Sequence, residues 1–137
     1  MMLQKTVAFF LALQFIVLTA AAQTVKSVKT VFVDSGWANN SVNTVVFRKN
    51  SLCTYKNTQY ISFYNQEGFV VIGKRKLGSK KWKLQTTIFK GKVTDAHNSI
   101  SIMVDGDGYL HLAWDHHNNK LRYAKSVEPG SLQLTGE

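Results

Sequence analysis

The sequence is poor in cysteine, proline and acidic residues, and these shortages narrow the possible classes of protein. The single cysteine, Cys53, cannot form a disulfide within the chain, which excludes a disulfide-stapled scaffold. It lies in the apolar alternation Leu52–Tyr55 and is interpreted as a small core residue rather than a nucleophile. Neither a Gly-rich phosphate loop nor a Gly-x-Ser-x-Gly motif is present.

Helical periodicity is absent after residue 22, and the chain has one proline, Pro129. Short runs of Val, Ile, Phe, Tyr and Thr recur between clusters of Gly, Asn, Asp and Lys, a pattern typical of an all-β fold. The predicted strands are Thr30–Val33, Asn43–Arg48, Leu52–Tyr55, Gln59–Tyr64, Phe69–Lys74, Trp82–Ile88, Ser99–Val104, Tyr109–Trp114 and Lys120–Lys125. Asn65–Gly68 and Asp105–Gly108 are predicted hairpin turns.

The first 22 residues have the features of a secretory signal peptide. One positive charge in Met1–Lys5 precedes an apolar stretch, Val7–Leu18, and three alanines then supply the small residues of a cleavage site. The alternative is a membrane anchor, but the apolar stretch is short for a spanning helix. Residues 1–22 are therefore predicted as a signal peptide and residues 23–137 as the folded part, secreted or held in the periplasm or at the cell surface, with no membrane association after cleavage.

Acidic residues are outnumbered by basic ones, eight against seventeen, which gives a formal net charge of +9. Such a surface attracts polyanions. For an exported protein an acidic polysaccharide is a better expected partner than nucleic acid, and simple solubility is the alternative explanation.

Two stretches of the chain resemble each other at a spacing of about 50 residues. Gln59–Asn65 followed by Phe69–Lys74 resembles Gly108–Asp115 followed by Lys120–Lys125. Each unit is a strand, a polar turn and a second strand, and this period suits a β-propeller blade. The chain then encodes only about two blades, whereas a propeller closes with roughly four to eight. We therefore expect a truncated propeller, with self-assembly or a small β-sandwich as alternatives.

All four histidines lie between Asp95 and His117. If the two strands in this stretch form a hairpin, residues before the first and after the second lie at the same end. His97 is then a neighbour of His116 or His117, opposite the Asp105–Gly108 turn. Such a pair could be an acid/base pair, a substrate clamp or two metal ligands.

Other interpretations of this stretch are weaker. His111 alternates along its strand and is expected to pack or to bond a neighbour. His97, Asp115 and His117 are acceptable ligand types for zinc, but no tight ligand spacing is present, so we predict no metal and leave the cofactor unknown. Asp105–Gly108 is interpreted as a hairpin turn rather than half of a calcium loop.

Asp95–Ile102 (DAHNSISI), Asp105–His117 (DGDGYLHLAWDHH) and Leu121–Ser126 (LRYAKS) together resemble the BNR-repeat-containing family of secreted propeller proteins, which includes the ulvan lyases. The resemblance extends from about Gly36 to the last residue. It implies a seven-bladed propeller and, in the lyase members, β-elimination on a uronic-acid polysaccharide.

The resemblance also implies roles for individual residues. His97 matches the family's first active-site histidine, the candidate base. His117 best matches the second, which contacts the substrate or assists the reaction, and His116 is the alternative match. Asn98, His116 and Trp114 are the predicted substrate-binding residues. The family's catalytic tyrosine and carboxylate-binding arginine come from later blades, so the chain by itself is expected to be inactive. A non-catalytic carbohydrate-binding propeller and, less well supported, a sialidase-type hydrolase are the alternatives.

Overall fold

A computed structural model of the protein describes residues 27–45 and 50–136. The predicted signal peptide lies outside the described residues. Contacts divide the chain into two units, Met1–Thr30 and Val31–Glu137. Residues 27–30 of the first unit have no regular secondary structure. The second unit contains the strands β1 (Leu52–Tyr55), β2 (Thr58–Tyr64), β3 (Phe69–Lys76), β4 (Lys83–Lys90), β5 (Ser101–Val104), β6 (Leu110–Trp114) and β7 (Arg122–Lys125).

The described residues form two antiparallel sheets and contain no helix. The first sheet has the order β1-β2-β3-β4 and the second β5-β6-β7, so within each sheet the strands pair in the order of the sequence. This agrees with the all-β prediction. Such antiparallel meanders are also the form that propeller blades take.

The two predicted hairpin turns are both present and use the same chemistry. The Asn65 side-chain oxygen accepts hydrogen bonds from the backbone N–H groups of Glu67 and Phe69, at 3.1 and 2.9 Å. Asp105 does the same for Asp107 and Tyr109, at 3.0 and 2.9 Å. A short side chain that bonds the backbone two residues on is the reason that Asn and Asp favour turns.

One apolar core lies within the second unit and takes residues from both sheets. The rings of Phe89 from β4 and Trp114 from β6 pack with their centroids 4.9 Å apart. Fully burying a large apolar side chain contributes about 1.5–3 kcal/mol, so this shared core is what holds the two sheets together. Its largest fully buried members are Trp114, Tyr64, Ile72, Ile100, Leu110, Leu112, Val42 and Val70.

Of two predicted strands near the start of the fold, one does not form and the other is only partly described. Thr30–Val33 has no strand structure. Of Asn43–Arg48, the first three residues are described and lie in or beside a turn, and the rest lie outside the described residues. Asn43 instead uses its side chain as a backbone substitute, because it accepts from the Tyr64 N–H and donates to the Tyr64 carbonyl, at 2.9 and 2.8 Å. Local propensity could not reveal this pairing across 21 residues.

The connections between strands collect at two ends of the second unit. At one end, which we call the histidine end, Gly91 N–H donates to the Gly68 carbonyl, and the Tyr64 hydroxyl donates to the Asn98 carbonyl. At the other end, which we call the cleft end, the Tyr55 hydroxyl donates to the Gly106 carbonyl. Among the described residues, no helix is long and apolar enough to cross a membrane.

Candidate functional site

Two connections form the candidate site at the histidine end: residues 91–100 between β4 and β5, and residues 115–121 between β6 and β7. The first connection passes close to β2, since a side chain at Gly91 would meet the Tyr64 ring at 2.3 Å. The absence of a side chain there lets the Tyr64 hydroxyl reach the Asn98 carbonyl at 2.7 Å. The loop is thereby tied to the first sheet.

Asn98 ties the two connections to each other. Its side chain is fully buried, donates to the Lys92 carbonyl and accepts from the His117 N–H, at 3.2 and 3.0 Å. The same oxygen accepts from the Asn119 amide at 3.2 Å, and Asn119 also donates to the His117 carbonyl at 2.7 Å. The backbone of His117 is therefore held from two sides.

Asp115 makes a second link between the same connections. Its carboxylate is buried, accepts from the Lys92 N–H at 2.9 Å and lies 3.6 Å from the Arg122 guanidinium. Its φ of 56° lies in the left-handed region that non-glycine residues seldom adopt. This turns the chain sharply after the buried Trp114 and sends it toward His117.

Two of the histidines, His97 and His117, contact the same carboxylate, that of Asp95. One oxygen of Asp95 lies 2.7 Å from Nδ1 of His97, and the other lies 2.8 Å from Nδ1 of His117. The first oxygen also accepts the His97 backbone N–H at 2.9 Å. The two ring centroids are 4.4 Å apart. We call Asp95, His97 and His117 the Asp–His–His cluster.

The electrostatics of the cluster fix the hydrogen positions. Hydrogen bonds from the His117 side chain, the His97 backbone and the His97 side chain hold the pKa of the Asp95 carboxyl well below its ordinary value. An ionised carboxylate only accepts hydrogen bonds, so both Nδ1 atoms must carry a proton. In the neutral rings, Nε2 then holds the lone pair. A neutral imidazole of this form can act as a general base or bind a metal ion.

Comparison with known families matches residues 58–137 to the description "BNR repeat-containing family member". The matched range covers more than half of the chain and includes every residue of the candidate site. The chain belongs to the BNR repeat-containing family. A search of curated proteins found no match.

The BNR repeat match agrees with the resemblance that the sequence predicted, at the level of the repeat family. The structure also confirms the predicted proximity of His97 and His117 at the end of the hairpin opposite Asp105–Gly108. Proximity does not establish a catalytic role, which therefore remains a prediction.

The three residues predicted to bind substrate have different positions in this BNR repeat chain. His116 is exposed beside the cluster. Asn98 and Trp114 are both 0% exposed, which argues against direct contact with a substrate. Asn98 instead positions the backbone of His117, and Trp114 packs in the core against Phe89.

His111 belongs to the other end of its hairpin. It lies 2.9 Å from an Asp105 oxygen and 2.6 Å from the Tyr123 hydroxyl. The contact with His111 lowers the pKa of the Asp105 carboxyl. These contacts agree with the expected bonding to neighbours, and they keep His111 away from the cluster.

The residues that could bind a metal differ from those considered from the sequence, which were His97, Asp115 and His117. Ligand atoms of Asp95, His97 and His117 lie within 4.8 Å of one another, whereas Asp115 is occupied with Lys92 and Arg122. Asp95 therefore takes the place expected of Asp115. Because Asp95 already accepts from both Nδ1 atoms, a metal that kept these bonds would bind through Nε2, with Asp95 orienting the rings.

Sequence reasoning missed two residues of the site, Asp95 and Asn119. The spacing Asp95-x-His97 is a usable signal for the first, because an aspartate readily accepts from the backbone N–H two residues on. No comparable local signal identifies Asn119, whose partner Asn98 lies 21 residues away.

Proposed function

We propose that this chain carries the histidine part of an active site that cleaves an uronic-acid polysaccharide by β-elimination. The observation that carries the proposal is the pair of imidazoles fixed on one carboxylate, since two ring nitrogens with defined lone pairs are what proton transfer requires. Family membership supports a glycan-related, propeller-type protein, and the lyase chemistry rests on the resemblance given by the sequence.

The reaction needs one proton to be removed and one to be delivered. A base takes the proton from C5 of the uronate, and the electron pair of that bond forms the C4–C5 double bond. The C4–O glycosidic bond breaks, and an acid protonates the leaving oxygen. We assign the base to Nε2 of His97, with His117 contacting the substrate or assisting.

Asp95 serves both rings as a positioning residue. Its two oxygens hold the Nδ1 protons, so each Nε2 is directed away from the carboxylate as the proton-accepting atom. A carboxylate in this position also offsets the positive charge that a ring gains when it takes up a proton, as in the Ser-His-Asp arrangement of hydrolases.

Other parts of the chemistry are expected from outside this chain. Neutralisation of the substrate carboxylate and protonation of the leaving oxygen are assigned, by the resemblance, to an arginine and a tyrosine of later propeller blades. The seven-bladed propeller is part of the same proposal.

The proposed location and partner of the protein rest on the predicted signal peptide and on the charge of the sequence. A signal peptide over residues 1–22 would export the protein, and an acidic polysaccharide would be its partner there. The formal net charge is +9 with the signal peptide and +8 without Lys5, and it favours that encounter through electrostatic attraction.

The full-length gene product provides the test. We expect digestion of an ulvan-type polymer to produce the ultraviolet absorbance of an unsaturated uronate. His97→Ala should lower this rate by roughly 10²- to 10⁴-fold, the usual contribution of a general acid or base.

His111→Gln is the matched control, because it removes a histidine at the opposite end and should leave the rate within about twofold of wild type, as surface-type changes far from a site usually do. Retained activity in His97→Ala would remove His97 from the role of base. New reducing ends without the unsaturated product would favour a hydrolase instead.

A second candidate function is carbohydrate binding without catalysis. A basic cleft with an aromatic residue at the cleft end favours it, because aromatic faces and cations are the groups that hold acidic sugars. Saturable binding of the polymer by the full-length protein with no product of either kind would support this alternative.

A further inference from the structure

A cleft lies at the cleft end, away from the Asp–His–His cluster. Its volume is ≈ 730 Å³, within the range of sites that hold small ligands. The ends of β1 to β4 form most of it, and Asp107, Gly108, Pro129 and Gly130 close one side. The bond from Tyr55 to Gly106 holds these two sides together.

Positive charge is concentrated in this cleft. Its lining contains one acidic residue, Asp107, and six basic residues: Lys56, Lys74, Arg75, Lys76, Lys81 and Lys83. Lys74 and Lys83 are direct partners across β3 and β4. Like charges placed opposite each other in a sheet destabilise it, so a bound anion would relieve the repulsion.

Some of these groups are already held in place. The Arg75 guanidinium donates to the Gln59 side chain and to the Ser79 carbonyl, at 2.8 and 3.1 Å, and lies 4.8 Å from the centre of the Trp82 ring. The Lys74 amine donates to the Gly130 carbonyl. Ligand binding therefore has less side-chain freedom to restrict, which favours affinity.

We propose that the cleft is a second binding subsite, which holds an anionic oligosaccharide at the end of the unit opposite the histidines. The lysines and Arg75 bind the carboxylate or sulfate groups, and Trp82 contacts a sugar ring. The choice of a saccharide rests on the proposed function, whereas the requirement for a small anionic ligand rests on the charge and size of the cleft.

The subsite would bind polymer independently of the chemistry at the histidine end. An acidic polysaccharide chain that occupied both ends would be retained by the enzyme between cleavages. A subsite of this kind raises the local concentration of substrate without a contribution to the chemical step.

The test is titration calorimetry with purified oligogalacturonate, carried out on the full-length His97→Ala protein so that the ligand is not cleaved. Trp82→Ala should weaken binding at the cleft by on the order of tenfold, as the loss of a stacking contact commonly does. The indole N–H resonance of Trp82 should shift on titration, and this assigns the binding to the cleft rather than to the histidine end.

Neighbouring lysines give a matched charge control. Lys81 lines the cleft, whereas the exposed Lys80 does not. Lys81→Ala should weaken binding by roughly two- to fivefold, and Lys80→Ala should leave it unchanged within error. The charge reversal Lys83→Glu should weaken binding further, and it keeps the test valid if Trp82→Ala fails to fold.

Three results would overturn the subsite: equal losses in Lys80→Ala and Lys81→Ala, equal binding of the methyl-esterified oligosaccharide, or tighter binding of a single-stranded oligonucleotide of the same charge. If the subsite proposal is wrong, the full-length protein should still have lyase activity, and His97→Ala should still lose it. Failure of the lyase proposal leaves the Trp82 shift and the Lys81 effect intact, so the two can be separated.

Discussion

Asp95 is the residue on which the site depends most. It is one of eight acidic residues in a basic chain, and it accepts three hydrogen bonds from the two histidines, at 2.7, 2.8 and 2.9 Å. The spacing to His97 could be noticed in the sequence. The second partner, His117, is 22 residues away and becomes adjacent only when the hairpin forms.

Asn98 supports the same site through its buried side chain, which binds the backbone of His117. It follows a candidate catalytic histidine, and so sequence reasoning took it for a substrate-binding residue. In the structure its side chain is buried and makes hydrogen bonds to both connections of the histidine end. A buried amide with all of these partners is a positioning group, and its loss should affect folding as well as activity.

Asn98→Ala tests this role. We expect the free energy of unfolding to fall by about 1–3 kcal/mol, because the backbone carbonyl of Lys92 and the backbone N–H of His117 lose their partner. Urea denaturation of the protein measures this change.

The control for this change is Gln66→Ala, which removes an amide from an exposed turn position and should alter stability by less than about 0.5 kcal/mol. Equal and small effects of the two substitutions would show that Asn98 does not hold the connections together.

Among the elements, the two hairpins were the easiest to predict. Strand β6 alternates in burial, and both turns begin with a residue, Asn65 or Asp105, whose side chain bonds the following backbone. Both signals are local, and local signals are what a sequence displays. The predicted strand Thr30–Val33 failed for the opposite reason, since nothing local shows whether a neighbouring strand will be available to pair with it.

The conformation of the Asp105–Gly108 turn predicts how a substitution in it changes the stability of the protein. Gly108 has a φ of 93°, and a side chain there would lie 3.3 Å from the Tyr55 ring. Gly108→Ala should lower the free energy of unfolding by about 1–2 kcal/mol, because non-glycine residues avoid left-handed conformations. Thermal or urea unfolding would reveal the loss.

Gly106, two residues earlier in the same turn, provides the control. A side chain there would meet nothing within 4 Å, so Gly106→Ala should change stability by less than about 0.5 kcal/mol. If both substitutions had the same effect, the backbone conformation of Gly108 could not be the cause.

At the scale of the second unit, the two sheets create properties that neither has alone. The core joins Phe89 of the first sheet to Trp114 of the second. The same packing brings the loop of Asp95 and His97 beside the turn of His117. The sequence predicted the strands of the two sheets and the hairpin geometry, but the meeting of two sheets depends on contacts between distant residues, and these leave no periodic pattern.

The distribution of charge also emerges at this scale. Lysines spread along the sequence from Lys56 to Lys83 converge on one cleft, while His97 and His117 meet at the other end. Composition predicted attraction to polyanions, but it could not predict that a large share of the positive charge would be gathered in one place.

The tautomeric state of His97 and His117 tests most directly whether Asp95 organises the two rings. It is measured from the nitrogen-15 resonances of the imidazole rings at a pH where the rings are neutral. A shared, ionised Asp95 requires the proton on Nδ1 of both rings. Asp95→Asn should remove this preference, while the His111 signals should not change. Protons on Nε2 in the wild-type protein would contradict the account, because Asp95 would then not organise the two histidines as a proton-transfer pair.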